Sequence, residues 1–501
     1  MLALQAWRPS TSVTPSSTGF IGDNNSTPSV PTHRDVVLGL STGAKPSTEG
    51  RAAILEAGAH VIVCAVLQRN LSNEKATNML SRPPISSGAS PVQKDVDRNH
   101  ESNESYESGA DIEGAEASAD DSVAHQQAGT ADSLTITMVA AAVRFLSILA
   151  IGTGVEADSA RDALMSVNAH KVTISAMEPL GSLRQTPIAM VACMDAVRQF
   201  AGSGEFATSL MRKDLILRQA DVKICSCMRA HTKDVEVQRS GCAALRNLSF
   251  GGREEGDVRR NHLVKNRVHV AACTALRLYL AVNSDPTRQA LSVALHEAAL
   301  GVIRNISFGA GTSVELRRQA LFRERAPELV VSALTVTNQA IEEAVRRSKP
   351  AHMVADAMAV LTVGIVALGN LFSGTGYLAE NRRHFAVLSD SVHRPIIAAM
   401  DMHARNAHLQ HACMVALGSL CLGSGEGADE VRSVIAEYEL PFNTAAGASS
   451  RELLGLEKGA VEGSDGGNII HLTARALRRF AKELRVEQVI LCAPMNVEKA
   501  T

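Results

Sequence analysis

The chain has 501 residues, a formal net charge of −2 and 45% hydrophobic residues, so most of it is able to form a buried core. Aromatic residues make up only 3% of the sequence, which argues against nucleic-acid modules that stack bases on exposed rings. The small net charge gives no overall field that would attract DNA or an anionic membrane. A core of Ala, Val, Leu, Ile and Met favours close-packed helices, and we expect an all-α protein.

The first part of the chain divides into three segments. Residues 1–33 contain no apolar signal-peptide core, and we expect a disordered N-terminus. Residues 34–70 contain the apolar helical pattern RAAILEAGAHVIVCAVL and are predicted to form a first, partial unit. Residues 71–132 are predicted to be a disordered acidic linker, because ten acidic residues and one Arg lie between positions 95 and 121.

A helical signature recurs through residues 133–440. The clearest copies are GCAALRNLSFGG (241–252), LGVIRNISFGAG (300–311) and IVALGNLFSGTG (365–376), with weaker copies at 141–154, 193–206 and 414–427. Each is a helix of small residues that ends at glycine. A second apolar signature, which begins with Arg, follows each of them. Because these recurring arginines hold equivalent positions, we expect them to pack or cap between units: Arg161, Arg212, Arg260, Arg317, Arg318, Arg382 and Arg383.

One position near the end of each signature helix fixes the register, and we call it the ladder position. It is occupied by Gln199, Asn247, Asn305, Asn370 and Ser419, with spacings of 48, 58, 65 and 49 residues. These spacings exceed the roughly 40–47 residues of armadillo-like units. We attribute the excess to insertions between helices, such as the charged stretch at 338–349.

The paired signatures resemble the first and third helices of an armadillo repeat. The resemblance covers roughly residues 36–70 and 133–440. It implies a right-handed α-solenoid of three-helix repeats whose third helices line a concave groove. Each unit alone has too small a core, so stacking of neighbours is also what the physics requires.

In armadillo proteins that bind extended peptides, an asparagine of the third helix hydrogen-bonds the ligand backbone. The resemblance therefore implies peptide-binding roles for Asn247, Asn305 and Asn370, with Ser419 at the next ladder position. Arg246 and Arg304 stand beside two of them and are able to pair with acidic groups of a ligand. A purely structural role, in which each amide bonds a neighbouring backbone carbonyl, is an equal alternative.

The importin-α pattern also has a tryptophan four positions before each asparagine, where it forms pockets for lysine. Those positions here hold Ala243, Gly301 and Val366. We therefore do not expect the chain to recognise nuclear-import signals.

The sequence contains no catalytic signature, and we expect a binding protein without enzymatic activity or cofactor. Phosphate-binding loops need glycines that lead from a strand into a helix, whereas the glycines here follow helices. The nine cysteines are an odd number spread thinly, which does not indicate a disulfide framework. Cys225 and Cys227 form a CxC pair with no second pair at zinc spacing, and His408 and His411 lack further ligands, so we expect no metal.

The C-terminal part is predicted to consist of a flexible loop at 441–467 and capping helices at 468–501. The basic amphipathic helix at 468–484 leaves open a membrane-associated adaptor. An autoinhibited binding module is a further alternative, with the acidic linker covering residues 210–325, where twenty basic residues face eleven acidic ones. The uncharged stretch at 357–379 is predicted to be a buried helix, because its second half is polar and rich in glycine.

Our leading interpretation is a protein-protein interaction scaffold that binds an extended peptide segment of another protein. We expect a cytoplasmic or nuclear monomer that has neither nucleic acid nor membrane as its main partner.

Overall fold

The structure is a computed structural model that describes residues 48–80, 136–177, 186–202, 207–280, 286–348, 351–403, 406–424 and 426–437. Every regular element in these ranges is an α-helix, which confirms the predicted all-α class.

The helices are numbered in chain order. The first six are α1 (Thr48–Glu56), α2 (Ala59–Leu80), α3 (Ile136–Leu149), α4 (Val155–Ser166), α5 (Ala169–Ala176) and α6 (Pro187–Phe200). The next six are α7 (Ala207–Leu217), α8 (Ala220–Ala230), α9 (Val235–Ser249), α10 (Arg253–Lys265), α11 (Val268–Leu280) and α12 (Pro286–Ser307). The last seven are α13 (Thr312–Arg323), α14 (Ala326–Arg346), α15 (Ala351–Phe372), α16 (Tyr377–Leu388), α17 (His393–Met402), α18 (Ala407–Leu420) and α19 (Glu426–Glu437).

Helices three places apart in this order pack side by side. Extensive contacts join α6, α9, α12, α15 and α18 in succession, and we call this set the ladder row because it carries the ladder positions. A second set joins α8, α11, α14 and α17, and α1 packs on α4 as α2 packs on α5. The apolar side chains between these sets form one continuous buried cluster from Ile54 to Ile435.

Local signals fix where the ladder-row helices begin. Asp234 before α9 accepts a hydrogen bond from the backbone N–H of Val237 at 3.0 Å, and Asn406 does the same for Leu409 at 3.1 Å. Each bond satisfies one of the donors that the first turn of a helix leaves without a partner. α6 instead begins at Pro187, whose missing N–H costs nothing at that position.

Glycines turn the chain out of the ladder row. Gly374 and Gly376 follow α15 with φ angles of +112° and +88°. Residues with a Cβ rarely adopt these angles, so glycine allows the sharp reversal into α16.

The turns that lead into α8, α11 and α14 each contain a residue in the left-handed backbone conformation, and this residue is not glycine. Gln219, Arg267 and Arg325 have φ angles of +60°, +61° and +58° and directly precede α8, α11 and α14. Gly58 holds the corresponding place between α1 and α2 with φ +70°. A side chain in this region costs about 1–2 kcal/mol, so these three turns store local strain.

Small residues bring the ladder-row helices close together. Ala244 and Ala367 are fully buried, and an ideal Cβ built on Gly369 would lie 3.3 Å from the Cα of Ala416 in α18. A larger side chain at position 369 would push α15 and α18 apart. The low aromatic content therefore matches a core whose helices meet nearly backbone to backbone.

Two predicted boundaries differ from the structure. The first unit was expected to end at residue 70, but α2 continues to Leu80, because residues 71–80 contain neither Pro nor Gly. The stretch at 338–349 was expected to be an insertion between helices, yet its first nine residues form the last turns of α14. The long spacing of 65 residues between Asn305 and Asn370 is thus explained largely by the length of α14.

One described helix is long and apolar enough to cross a membrane. α15 has 22 residues and a most-apolar window with mean hydropathy 1.9, of which 39% is buried. The pair Gly50–Glu56 and Ala59–Ser72, bent by 64°, would be a second if counted as one span. α15 packs on α12, α14 and α18, and core helices of other proteins meet the same length and composition test.

Several predictions fall outside the described residues. They concern the N-terminus at 1–33, the acidic stretch at 95–121, the loop at 441–467 and the C-terminal helices at 468–501, together with the membrane-adaptor and autoinhibition alternatives that depend on them.

Candidate functional site

The three predicted asparagines lie on consecutive helices of the ladder row, and each is bonded to the helix before it. Their Nδ2 atoms donate to a backbone carbonyl oxygen one residue before the ladder position of that preceding helix. The bonds join Asn247 to Arg198 (2.8 Å), Asn305 to Arg246 (2.9 Å) and Asn370 to Arg304 (3.0 Å). These amides therefore link successive helices, as the structural alternative requires.

Asn305 uses the full hydrogen-bonding capacity of its amide inside the protein. It is only 7% exposed, and its Nδ2 also donates to the Oγ of Ser249 at 3.2 Å. Its Oδ1 accepts from Nε and Nη2 of Arg304 at 3.2 and 3.0 Å. A side-chain amide has two N–H donors, so Asn305 has no donor left for a ligand.

Asn247 and Asn370 differ from Asn305 because their amides are only partly used. Both are half-buried, and each makes one hydrogen bond through Nδ2 to the described residues. Each therefore keeps one N–H and the Oδ1 acceptor, which is the pair needed to bond a peptide group.

The ladder positions on either side of the asparagines use other bonds. The Oγ of Ser419 donates to the carbonyl oxygen of Val415 in its own helix at 2.9 Å and lies 3.3 Å from the Oγ of Ser373. The backbone carbonyl oxygen of Gln199 accepts from Nε of Arg161 at 3.1 Å. The direct link from side chain to preceding backbone is thus confined, in the part of the chain described here, to the three asparagines.

Arg246 and Arg304 lie beside the asparagines but have different partners. Nη1 of Arg246 pairs with Oε1 of Glu297 at 2.8 Å. The guanidinium of Arg304 bonds Asn305 and has no carboxylate within 4.0 Å among the described residues. Burial lowers the pKa of Arg304, the charge of Arg246 lowers it further, and Glu297 opposes both effects. Two neighbouring positive charges thus have one carboxylate near them, and it is paired with Arg246.

An arginine thirteen residues after each ladder position donates to the loop that ends its helix. In α3, Ile148 holds the corresponding place thirteen residues before Arg161. The arginines are Arg161, Arg212, Arg260, Arg318, Arg383 and Arg432. Each donates to a glycine carbonyl oxygen nine or ten residues earlier: Gly152, Gly202, Gly251, Gly309, Gly374 and Gly423 respectively. Of the other two arginines predicted to pack or cap, Arg317 donates to the carbonyl oxygens of Ile306 and Phe308, whereas Arg382 pairs with the carboxylate of Glu315.

The physical reason for this link is the row of carbonyl groups at a helix C-terminus, which have no partner within the helix. Arg383 donates both to Gly374 and to the last residue of α15, Phe372, at 3.0 Å in each case. Arg318, in α13, has a different second acceptor: its Nε donates to the carbonyl oxygen of Asn370 in α15, the next helix of the ladder row, at 2.7 Å. Burial lowers the pKa of Arg318 to about 10, which leaves the guanidinium charged at neutral pH.

A second recurring link was missed in the sequence. Nε2 of Gln238 donates to the carbonyl oxygens of Met228 and His231, at 2.7 and 3.1 Å. Nε2 of Gln410 makes the equivalent bonds to Met400 and His403, at 2.7 and 3.2 Å. The two sites share the spacing Met-x-x-His-x-x-Asp/Asn-x-x-x-Gln, so this pattern could have revealed them. Arg432 was also missed, although it follows Ser419 by the same thirteen residues.

The thiols and histidines considered as metal ligands do not form a cluster. No group of three or more His, Cys, Asp or Glu side chains able to hold a metal ion occurs among the described residues. Cys225 and Cys227 are both buried, and burial raises the pKa of Cys225 to about 12. Burial lowers the pKa of His411, with a smaller contribution from His408.

Comparison with known families and with curated proteins gives no match: no family model fits the sequence, and no curated protein is significantly similar.

Proposed function

We propose that the chain is an armadillo-like α-solenoid that acts as a scaffold and binds an extended segment of another protein along the ladder row. Three features support the architecture: helices three apart pack together, the asparagine link recurs, and the arginine follows the ladder position at a constant distance. In a solenoid each unit contacts mainly its neighbours, and the more extensive contacts between the described helices join helices no more than three places apart.

One observation carries the binding proposal. Asn247 and Asn370 lie on helices either side of α12, are half-buried, and each keep one N–H and one Oδ1. Such an amide satisfies both polar groups of a peptide unit, and an extended chain has peptide units without internal partners. Two such amides on one row suit a peptide that crosses several helices, with backbone bonds for affinity and side-chain contacts for specificity.

Site-specific photo-crosslinking tests the proposal. Peptides that bind the full-length chain are first selected from a displayed library of short unstructured sequences. The photoreactive residue p-benzoylphenylalanine then replaces Val415, which is 37% exposed on α18 of the ladder row. The matched control places it at Val258, which is 63% exposed on α10, outside the row.

We expect crosslinks to the selected peptides from position 415 and not from position 258. Crosslinks from position 258 alone, or from neither position, would contradict binding along the ladder row. As a second readout, replacing Asn247 and Asn370 together by Ala is expected to weaken peptide binding by about tenfold or more, if each lost bond contributes about 0.5–1.5 kcal/mol.

A further inference from the structure

Arg246 lies across the next helix of the ladder row. An ideal Cβ built on Gly301 in α12 would lie 2.3 Å from the Cδ of Arg246 and 3.0 Å from its Cγ. The side chain of Arg246 therefore occupies the space that a residue larger than glycine would need at position 301. This is the position at which the importin-α pattern has tryptophan.

The path across α12 brings the guanidinium of Arg246 to Glu297, one turn before Gly301 in that helix. Nη1 lies 2.8 Å from Oε1 of Glu297, whose side chain is 39% exposed. Arg304, one turn after Gly301, is close enough for its charge and that of Arg246 to affect each other. Glu297 and Arg304 belong to α12, Arg246 reaches them from α9, and the three groups together carry one net positive charge.

The carboxylate of Glu297 is the group in this cluster that can most easily be displaced from its partner, Arg246. The Arg246–Glu297 pair is only partly buried, and ion pairs at protein surfaces contribute about 0–1 kcal/mol because water replaces the carboxylate at little cost. The partner amide of Arg304 is neutral, so an incoming anion would give that guanidinium a charged hydrogen-bonding partner, which the described residues do not supply.

We propose that Arg246 and Arg304 together bind one acidic side chain of the extended peptide, and that Glu297 holds this place when no peptide is bound. The inference rests on the proposed function, and it names the class of partner: an acidic segment. Guanidinium groups suit a carboxylate because their parallel N–H groups match its two oxygens. A neutral peptide would have to displace Glu297 from Arg246 and would form no ion pair with either arginine.

The saturated amide of Asn305 fits this arrangement. The peptide backbone would bond Asn247 and Asn370, and over α12 a charged contact would take the place of the backbone bond. Neighbouring packed helices lie about 8–10 Å apart, and an extended chain advances about 3.3 Å per residue. Every third peptide residue would then face a new helix. Arg198 on α6 directly precedes a ladder position, as Arg246 and Arg304 do on α9 and α12.

The test measures binding of a fluorescent hexaglutamate peptide to the full-length chain by fluorescence anisotropy at low salt. A hexaglutamine peptide of equal length is the uncharged control, and inorganic phosphate serves as a competitor. Three variants probe the site: Arg304→Gln removes the unpaired charge, Glu297→Gln removes the competing carboxylate, and Gly301→Ala displaces Arg246 while keeping every charge. Far-ultraviolet circular dichroism confirms that each variant is folded.

We expect the wild-type chain to bind hexaglutamate and not hexaglutamine. Arg304→Gln is expected to weaken binding at least tenfold, the change typical of a lost charge-assisted hydrogen bond. Gly301→Ala should also weaken it, and Glu297→Gln should strengthen it severalfold. Inorganic phosphate is expected to compete only at far higher concentration, since it lacks the backbone contacts.

Equal binding of hexaglutamate by the wild-type chain and Arg304→Gln would overturn the inference, as would weaker binding by Glu297→Gln. Phosphate that competes as well as hexaglutamate would also overturn it, because the site would then recognise a free anion. Failure here is separable from failure of the proposed function. Selected peptides that crosslink at position 415 and yet bind the Arg304→Gln variant as tightly as the wild-type chain would support the proposed scaffold function and contradict its specificity for acidic segments.

Discussion

The side-chain amide of Asn305 donates to the backbone carbonyl oxygen of Arg246 at 2.9 Å, across the interface between two helices of the ladder row. Asn305 is 7% exposed, and loss of its amide removes this bond, the bond to Ser249 and the acceptor of two N–H groups of Arg304, although the Oγ of Ser249 still donates to the carbonyl oxygen of Arg246 at 2.8 Å. We expect Asn305→Ala to lower the free energy of unfolding by about 1–3 kcal/mol. Urea denaturation measures the change.

Ser419→Ala is the matched control for this substitution. Ser419 holds the same ladder position, but its hydroxyl donates within its own helix and not to the preceding backbone. We expect a loss of less than about 1 kcal/mol there. Equal losses at the two positions would show that the link from Asn305 to Arg246 adds no stability of its own.

Replacement of a buried arginine should destabilise the chain more. Arg383→Met removes the donor to Phe372 and Gly374 and is expected to cost about 2–4 kcal/mol, since each unsatisfied buried carbonyl costs about 1–3 kcal/mol. Arg383→Lys should recover part of the loss, because both bonds come from one nitrogen, Nη1, and a lysine ammonium also carries several N–H donors. Arg346→Met, at a side chain that is 74% exposed, should change stability by no more than about 0.5 kcal/mol. Chemical denaturation of the three variants separates these outcomes.

The left-handed turn before α8 offers a stabilising change. Gln219 has φ +60°, and glycine adopts this conformation without the steric cost that a side chain incurs. We expect Gln219→Gly to raise the free energy of unfolding by up to about 1 kcal/mol, and Gln219→Val to lower it by more. Thermal melts of both variants give the comparison, and a lower melting temperature for Gln219→Gly would contradict the assignment of strain to this turn.

Acid should weaken the fold through His296 in α12. This histidine is 3% exposed, and burial lowers its pKa to about 4. The unfolded chain, with an ordinary histidine pKa of about 6.5, takes up a proton first, so stability is complete above pH 6.5 and falls as the pH drops toward 4.

At pH 5 the expected loss from this residue alone is roughly 2 kcal/mol. His296→Gln, which cannot be protonated, should therefore lose less stability between pH 7 and pH 5 than the wild-type chain. Urea denaturation at the two pH values measures the difference. An unchanged pH dependence in the variant would show that His296 does not titrate in this way.

The sequence alone predicts the all-α class, because apolar spacing and terminal glycines such as Gly374 are local signals. It also places Asn247, Asn305 and Asn370 on equivalent helices. It could not show that Asn305 is saturated while the other two amides are partly free, since that depends on Ser249 and on the rotamer of Arg304. The path of Arg246 over Gly301 likewise depends on how two helices meet.

The arginine links affect where this chain can be cut. Each arginine belongs to the helix that follows a loop, yet it donates to a carbonyl oxygen of that loop, and Arg383 also donates to the last residue of the helix before it. A fragment that stops after Gly374 would expose the carbonyl groups at the end of α15, whereas one that continues to Leu388 retains Arg383 and covers them. Stable proteolytic fragments should accordingly end beyond an arginine of this set, and expression boundaries chosen at the glycines would truncate the molecule in the middle of a cooperative unit.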